Sequence, residues 1–171
     1  MNKSEQKLVL VVDDEPDVRM VVEAALEDAG FEVVTAANGR EAYNRVKERV
    51  PDFITLDLVM PRESGALFYL KLCNNSGWKD IPVMIISAHA HDELGAEDFG
   101  RLMKGKDAPR PAHFMEKPVQ PEVLVRVVSE TLGVAVDEDA NGARDDVWNK
   151  LRGADLETLR KIQSVLDEEE G

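Results

Sequence analysis

The sequence predicts an α/β protein in which five parallel strands are covered on both faces by helices. Three observations predict it. Short apolar runs, Leu8-Val9-Leu10-Val11-Val12, Phe53-Ile54-Thr55-Leu56 and Val83-Met84-Ile85-Ile86, read as strands buried on both faces. Between the runs, apolar residues recur at helical spacing. Glycines, prolines and polar turn residues, such as Gly30, Pro51 and Asn74-Asn75-Ser76-Gly77, punctuate the joins.

Each element follows in order. Leu8–Val12 is the first strand. Pro16 stands where a helix begins, Val18, Val21, Val22, Ala25 and Ala29 recur at helical spacing, and Gly30 stops it. Phe31–Ala36 is the second strand. Gly39–Arg49 is a helix with Ala42, Tyr43 and Val46 inward, closed by Pro51. The third strand ends at Asp57. Gly65 opens a helix carrying Ala66, Leu67, Leu70 and Leu72, which dissolves at Asn74. The fourth strand ends at Ser87. Residues 93–103 hold a further helix, weakened by Gly95 and Gly100 by about 1 kcal/mol each relative to alanine. His113–Glu116 is a short fifth strand, and Pro121–Leu132 is a helix with Leu124, Val127, Val128 and Thr131 on one face.

The strand ends carry the chemistry. Asp13 and Asp14 follow the first strand, Asp57 ends the third, Ser87 ends the fourth and Lys117 follows the fifth. Three carboxylates beside buried strands disfavour one another's ionised forms, through desolvation and through repulsion. A hard cation makes such a cluster tolerable. In open α/β sheets, the carboxyl edge of the strands is where ligands bind. The set suits phosphoryl transfer to Asp57. Mg²⁺ takes one or two carboxylates together with waters and phosphate oxygens. Lys117 then neutralises a second phosphoryl oxygen and Ser87 hydrogen-bonds a third, stabilising a charge-rich transfer step.

These residues, in this order, resemble the receiver domain of bacterial two-component response regulators, of the stand-alone, chemotaxis-regulator-like kind. The matching elements are Val11-Val12-Asp13-Asp14-Glu15, Asp57-Leu58-Val59-Met60-Pro61 with Gly65, Ser87-Ala88 and Lys117-Pro118. The resemblance covers residues 7–133, leaving an arm, 1–6, and a tail, 134–171. It implies a doubly wound, flavodoxin-like sheet of order 2-1-3-4-5 with the site at its switch point. It implies that Asp57 accepts a phosphoryl group from a sensor histidine kinase or phosphotransfer protein. Mg²⁺ would be held by Asp13, Asp14, Asp57 and the backbone carbonyl of Val59. Ser87 and Lys117 would contact the phosphoryl oxygens, and the Lys117-Pro118 bond would be cis. Ser87 and Phe114 occupy the family's switch positions. Because Phe114 lacks a tyrosine hydroxyl, apolar burial is expected to hold it inward in either state. Val59 and His89 occupy the positions that tune the phosphoryl lifetime, and an apolar Val59 predicts slow self-dephosphorylation.

Two features depart from the family. Between Ser87 and Lys117 lie 29 residues, more than is usual, with the excess around 103–111. That stretch is a proline- and glycine-containing loop, and between 101 and 110 Arg101, Lys104, Lys106 and Arg110 stand against Asp107 alone. The tail, 137–171, has five basic residues against eleven acidic ones and matches no standard output domain. Leu156, Leu159, Ile162 and Leu166 form an apolar stripe there, expected to pack on the domain or on a second copy.

Composition narrows the partners. At 171 residues the chain forms one good core plus an appendage, and 43% hydrophobic with 32% charged residues fits a soluble globular protein. A net charge of −13 opposes sequence-independent nucleic-acid binding, and the tail is too short and acidic for a DNA-binding output domain. The leading apolar run is too short for a signal peptide or a membrane span, which predicts a cytoplasmic protein. Cys73 is alone, and His89, His91 and His113 are read as surface or loop residues rather than metal ligands. The expected output is therefore contact with a downstream protein, with a homodimer as a further possibility, and not catalytic turnover. The alternatives are a Mg²⁺-dependent phosphatase with an aspartyl nucleophile and an adaptor that is never phosphorylated. The first lacks the second acid that haloacid-dehalogenase-type enzymes place two residues after the nucleophile, since Val59 stands there.

Overall fold

The computed structural model describes residues 6–60, 64–87 and 110–135. The chain divides into two units, Met1–Ala135 and Val136–Gly171, and the described residues belong to the first. The predicted helix at 93–103, the basic loop as far as 109 and the tail stripe lie outside the described residues.

Five strands are described: β1 (Leu8–Val12), β2 (Glu32–Ala36), β3 (Phe53–Asp57), β4 (Val83–Ser87) and β5 (His113–Glu116). They pair in parallel in the order β2-β1-β3-β4-β5, as expected. The described helices are α1 (Pro16–Asp28), α2 (Gly39–Glu48), α3 (Gly65–Cys73) and α4 (Pro121–Leu132). Every residue of β1, β3 and β4 is buried, because central parallel strands have helices on both faces. The edge strands β2 and β5 are only partly covered.

Local chemistry sets the helix ends. Pro16 occupies the first turn of α1, where its missing N–H costs nothing, and Gly30, at φ 90°, takes the left-handed turn that follows the helix. At α2 the Asn38 side chain accepts from the Glu41 amide at 2.9 Å, while the Glu41 carboxylate accepts from the Ala37 amide at 2.9 Å. This reciprocal cap satisfies two donors that the helix itself leaves unpaired. Ser64 caps α3 by accepting from the Leu67 amide.

In three helices the buried faces differ from the apolar spacing. Val22 and Leu26 are the buried residues of α1, and Val21 is 45% exposed. In α3 the buried set includes Phe68 and Tyr69, while Leu67 is 45% exposed and Leu70 half-buried. Ala66 and Leu72 are buried as well, and only Lys71 marks a polar direction on this almost wholly apolar helix. In α4, Val125 and Ser129 are buried and Thr131 is exposed. Among the described residues, no helix is long and apolar enough to cross a membrane.

Asp52 fastens the start of the sheet. Its carboxylate accepts from the Leu8 amide and from the Lys7 ammonium, each at 2.9 Å. Partial burial pushes its pKa up, but the Leu8 amide and the Lys7 charge outweigh that effect and hold it below the usual value. A lowered folded pKa means stability that is present above the unfolded value and lost as pH falls through the folded one. Asp52→Ala is therefore expected to cost about 1 kcal/mol in urea unfolding at neutral pH, most of it the amide hydrogen bond. The difference should narrow below about pH 4. Ser129 gives the opposite sign. Among the described residues its buried hydroxyl has no hydrogen-bond partner, so Ser129→Ala is expected to raise the urea midpoint, gaining about 1 kcal/mol.

Candidate functional site

Parallel pairing aligns the carboxyl ends of the strands. Val12 stands opposite Leu56, Asp57 opposite Ile86, and Ser87 opposite Glu116. Residues just beyond β1 and β5 therefore join the last residues of β3 and β4 at one edge. Asp13 is tied to β2 through its amide, which donates to the Ala36 carbonyl at 3.2 Å. Lys117 is tied to β4, its amide donating to the Ser87 carbonyl at 2.9 Å. Its peptide bond to Pro118 is cis, as the resemblance implied.

Asp13, Asp14 and Asp57 converge there. One carboxylate oxygen from each lies within 4.8 Å of the others, and Asp13 and Asp57 are buried. Each buried carboxylate uses its two oxygens differently. Asp13 Oδ1 accepts from the Glu15 amide and Asp57 Oδ1 from the Val59 amide, both at 2.9 Å. Asp13 Oδ2 and Asp57 Oδ2 both receive the Lys117 ammonium, each at 2.9 Å. The amides fix the carboxylate planes, and the ammonium bridges the two acids.

The charges shift one another. Burial raises the pKa of Asp57, with the Lys117 and Val59 hydrogen bonds working against it and the Asp13 charge adding to it. For Lys117, burial favours loss of the proton, yet hydrogen bonds to Glu15, Asp57 and Asp13 prevail and hold the ammonium charged well above the usual lysine range.

Gly65 lies against the backbone of Asp57. A Cβ at Gly65 would overlap the Asp57 carbonyl oxygen, so the first turn of α3 packs directly on the backbone of the phospho-acceptor candidate. The matching glycine in the sequence is thus a steric requirement of the site.

The remaining predicted residues are distributed as follows. Ser87 is buried at the end of β4. The Val59 side chain is 77% exposed, and its amide reaches Asp57. Phe114 is a correction: its ring is 47% exposed, not inward. It lies on the edge strand β5, where no residue is fully buried, so apolar character does not secure a place in the core. His89 and His91 lie outside the described residues. His113 hydrogen-bonds Thr131 at 2.9 Å and stacks on Phe53, in keeping with a structural role. Two contacts escaped the sequence reading. Glu15 Oε1 stands 2.6 Å from Lys117 Nζ, and Arg19 Nη1 donates to the Asp13 carbonyl at 2.7 Å. The run Asp13-Asp14-Glu15 held the first signal, as a further acid adjoining the pair.

A doubly wound parallel sheet with an acid cluster, a hydroxyl and a lysine at its carboxyl edge defines a phosphoryl-acceptor class of α/β protein. The sequence profile named response regulator receiver domain matches residues 9–129, and the chain belongs to that family. Response regulator Rre1 of Synechocystis is 34% identical over 149 residues, covering 84% of this chain and 61% of that protein. The phosphate regulon transcriptional regulatory protein PhoB of Escherichia coli is 35% identical over 117 residues, covering 68% of this chain and 48% of PhoB. The chain thus spans less than two thirds of the length of these relatives. Among solved structures, chemotaxis protein CheY4 of Vibrio cholerae matches at TM-score 0.62 and 29% identity, over 73% of this chain and 98% of that one. The receiver domain of a Pseudomonas aeruginosa sensor histidine kinase, solved with magnesium in its active site cleft, matches at TM-score 0.65 and 22% identity. It covers 75% of this chain and 98% of that one, and at this identity the likeness is one of fold.

Because the Asp57 carbonyl cannot yield without moving β3, Gly65→Ala is expected to destabilise the fold by about 1–3 kcal/mol. Urea unfolding measures the loss, and Gly133→Ala, at a position with open space around it, separates overlap from backbone strain alone.

Proposed function

We propose that this chain works as the phospho-acceptor of a two-component phosphorelay, with residues 7–133 as the receiver and 134–171 as linker and acidic tail. The observation that carries the reading is the convergence of Asp13, Asp14 and Asp57, with Lys117 bound to two of them, at the carboxyl edge of the sheet. The donor is a phosphohistidine on a sensor histidine kinase or phosphotransfer protein. An Asp57 carboxylate oxygen bonds to phosphorus, the phosphorus–nitrogen bond breaks, and its electron pair returns to the imidazole.

The donor set fits magnesium, since three carboxylates within one ion's reach are hard oxygen ligands. Asp13, Asp14, Asp57 and the Val59 carbonyl would hold it. When bound, the ion supplies positive charge to offset that of the phosphoryl oxygens. The protein's own residues do the rest. The Val59 amide orients the Asp57 carboxylate, and Lys117 stands 2.9 Å from an Asp57 oxygen, beside any group attached there. The Ser87 hydroxyl donates to the phosphoryl group, and Phe114, the family's other switch position, is coupled to it only weakly. Apolar, solvent-facing Val59 gives no group to align an attacking water, so the acyl phosphate is long-lived, with His89 as the second tuning position.

Output passes by contact with a downstream protein in the cytoplasm, or between two copies, without nucleic acid or membrane. The net charge of −13 supports this. The protein is a switch rather than an enzyme.

Incubation with magnesium and acetyl phosphate, read by intact-protein mass spectrometry, tests the proposal. The expected result is an adduct of about 80 Da, one phosphoryl group, that is absent in Asp57→Asn. Sustained turnover of the donor would instead indicate a phosphatase. Absence of any adduct from wild-type protein would indicate an adaptor.

A further inference from the structure

Among the described residues Lys117 has three anionic partners, and the shortest contact is to the one outside the acid cluster. Glu15 Oε1 lies 2.6 Å from Nζ, against 2.9 Å for Asp13 and Asp57. Glu15 is the N-cap residue of α1, yet its side chain makes no capping hydrogen bond. Its carboxylate instead reaches a residue 102 positions away. Its own amide meanwhile donates to Asp13 Oδ1, while Asp13 Oδ2 holds the same ammonium. A closed ring results: Asp13 to the Glu15 backbone, the Glu15 side chain to Lys117, and Lys117 back to Asp13.

The ring matters because one ammonium and an incoming cation draw on the same carboxylates. The Lys117 side chain is 14% exposed and engages Asp13 and Asp57 directly, so a cation held by those acids adds a second positive charge beside it. A partly buried ammonium that loses its partners is destabilised. Glu15, 57% exposed, lies at the solvent side of the pair and is no member of the acid cluster. We infer that Glu15 is a positioning residue, which retains the Lys117 ammonium when a divalent cation takes Asp13 and thereby makes cation binding easier. The inference rests on reading Asp13, Asp14 and Asp57 as a cation site.

A double-mutant cycle on the full chain tests it, with magnesium alone as the ligand and calorimetric titration as the readout. Glu15→Gln keeps the size of the side chain and removes its charge. If Glu15 acts through Lys117, this change should raise the magnesium Kd about five- to tenfold in wild-type protein and less than about twofold in a Lys117→Met background. An equal factor in both backgrounds would mean that Glu15 acts only as a nearby negative charge, and would overturn the inference. No change in either background, or tighter binding in Glu15→Gln, would overturn it as well. These outcomes leave the cation site itself standing, because wild-type binding is measured in the same series. Wild-type protein that ignores magnesium would remove both readings together. Far-ultraviolet circular dichroism of the four proteins confirms equal folding before the comparison.

Discussion

One ammonium compensates the site. Asp13 and Asp57 are buried, and both place an oxygen on Lys117 Nζ. Without a cation between them, two buried carboxylates this close would repel one another. With it, both remain in position while β1, β3 and β5 keep their strand ends at a common edge. The arrangement is polarised: each acid presents one oxygen to a backbone amide and the other to the lysine. The main chain supplies orientation and the side chain supplies charge.

The sheet accounts for how residues so distant in sequence reach that edge. β1 lies between β2 and β3, so the topological switch falls between β1 and β3, where the aspartates gather. The parallel pairing of β1, β3 and β4 sets which residues stand at that edge, with Val12 opposite Leu56 and Asp57 opposite Ile86. Gly65 adds a steric limit from the other side, bringing the start of α3 against the Asp57 carbonyl. Register sets which residues arrive, and α3 sets how far the loop can shift.

Much of this was legible in the residues. Uninterrupted apolar runs ending in Asp13, Asp57 and Ser87 made the strand ends visible, and the ordered motif gave the strand order by resemblance. Helix faces were legible only where polar residues alternate with apolar ones. α2 was read correctly at Ala42 and Val46, whereas α3, almost wholly apolar, offered several equivalent stripes. Phe114 was misread because an edge strand exposes side chains that a central strand would bury. The Glu15 contact had no local signature: a carboxylate before Pro16 looks like an ordinary helix-start acid until Lys117 is brought beside it.

Chain growth from the ribosome meets this geometry in a particular order. Asp57 precedes Lys117 by 60 residues and Glu15 by 102, so the emerging polypeptide carries its acids long before their counter-charge exists. The strand ends of β1 and β3 therefore receive the ammonium that bridges their acids only once the chain has reached Lys117.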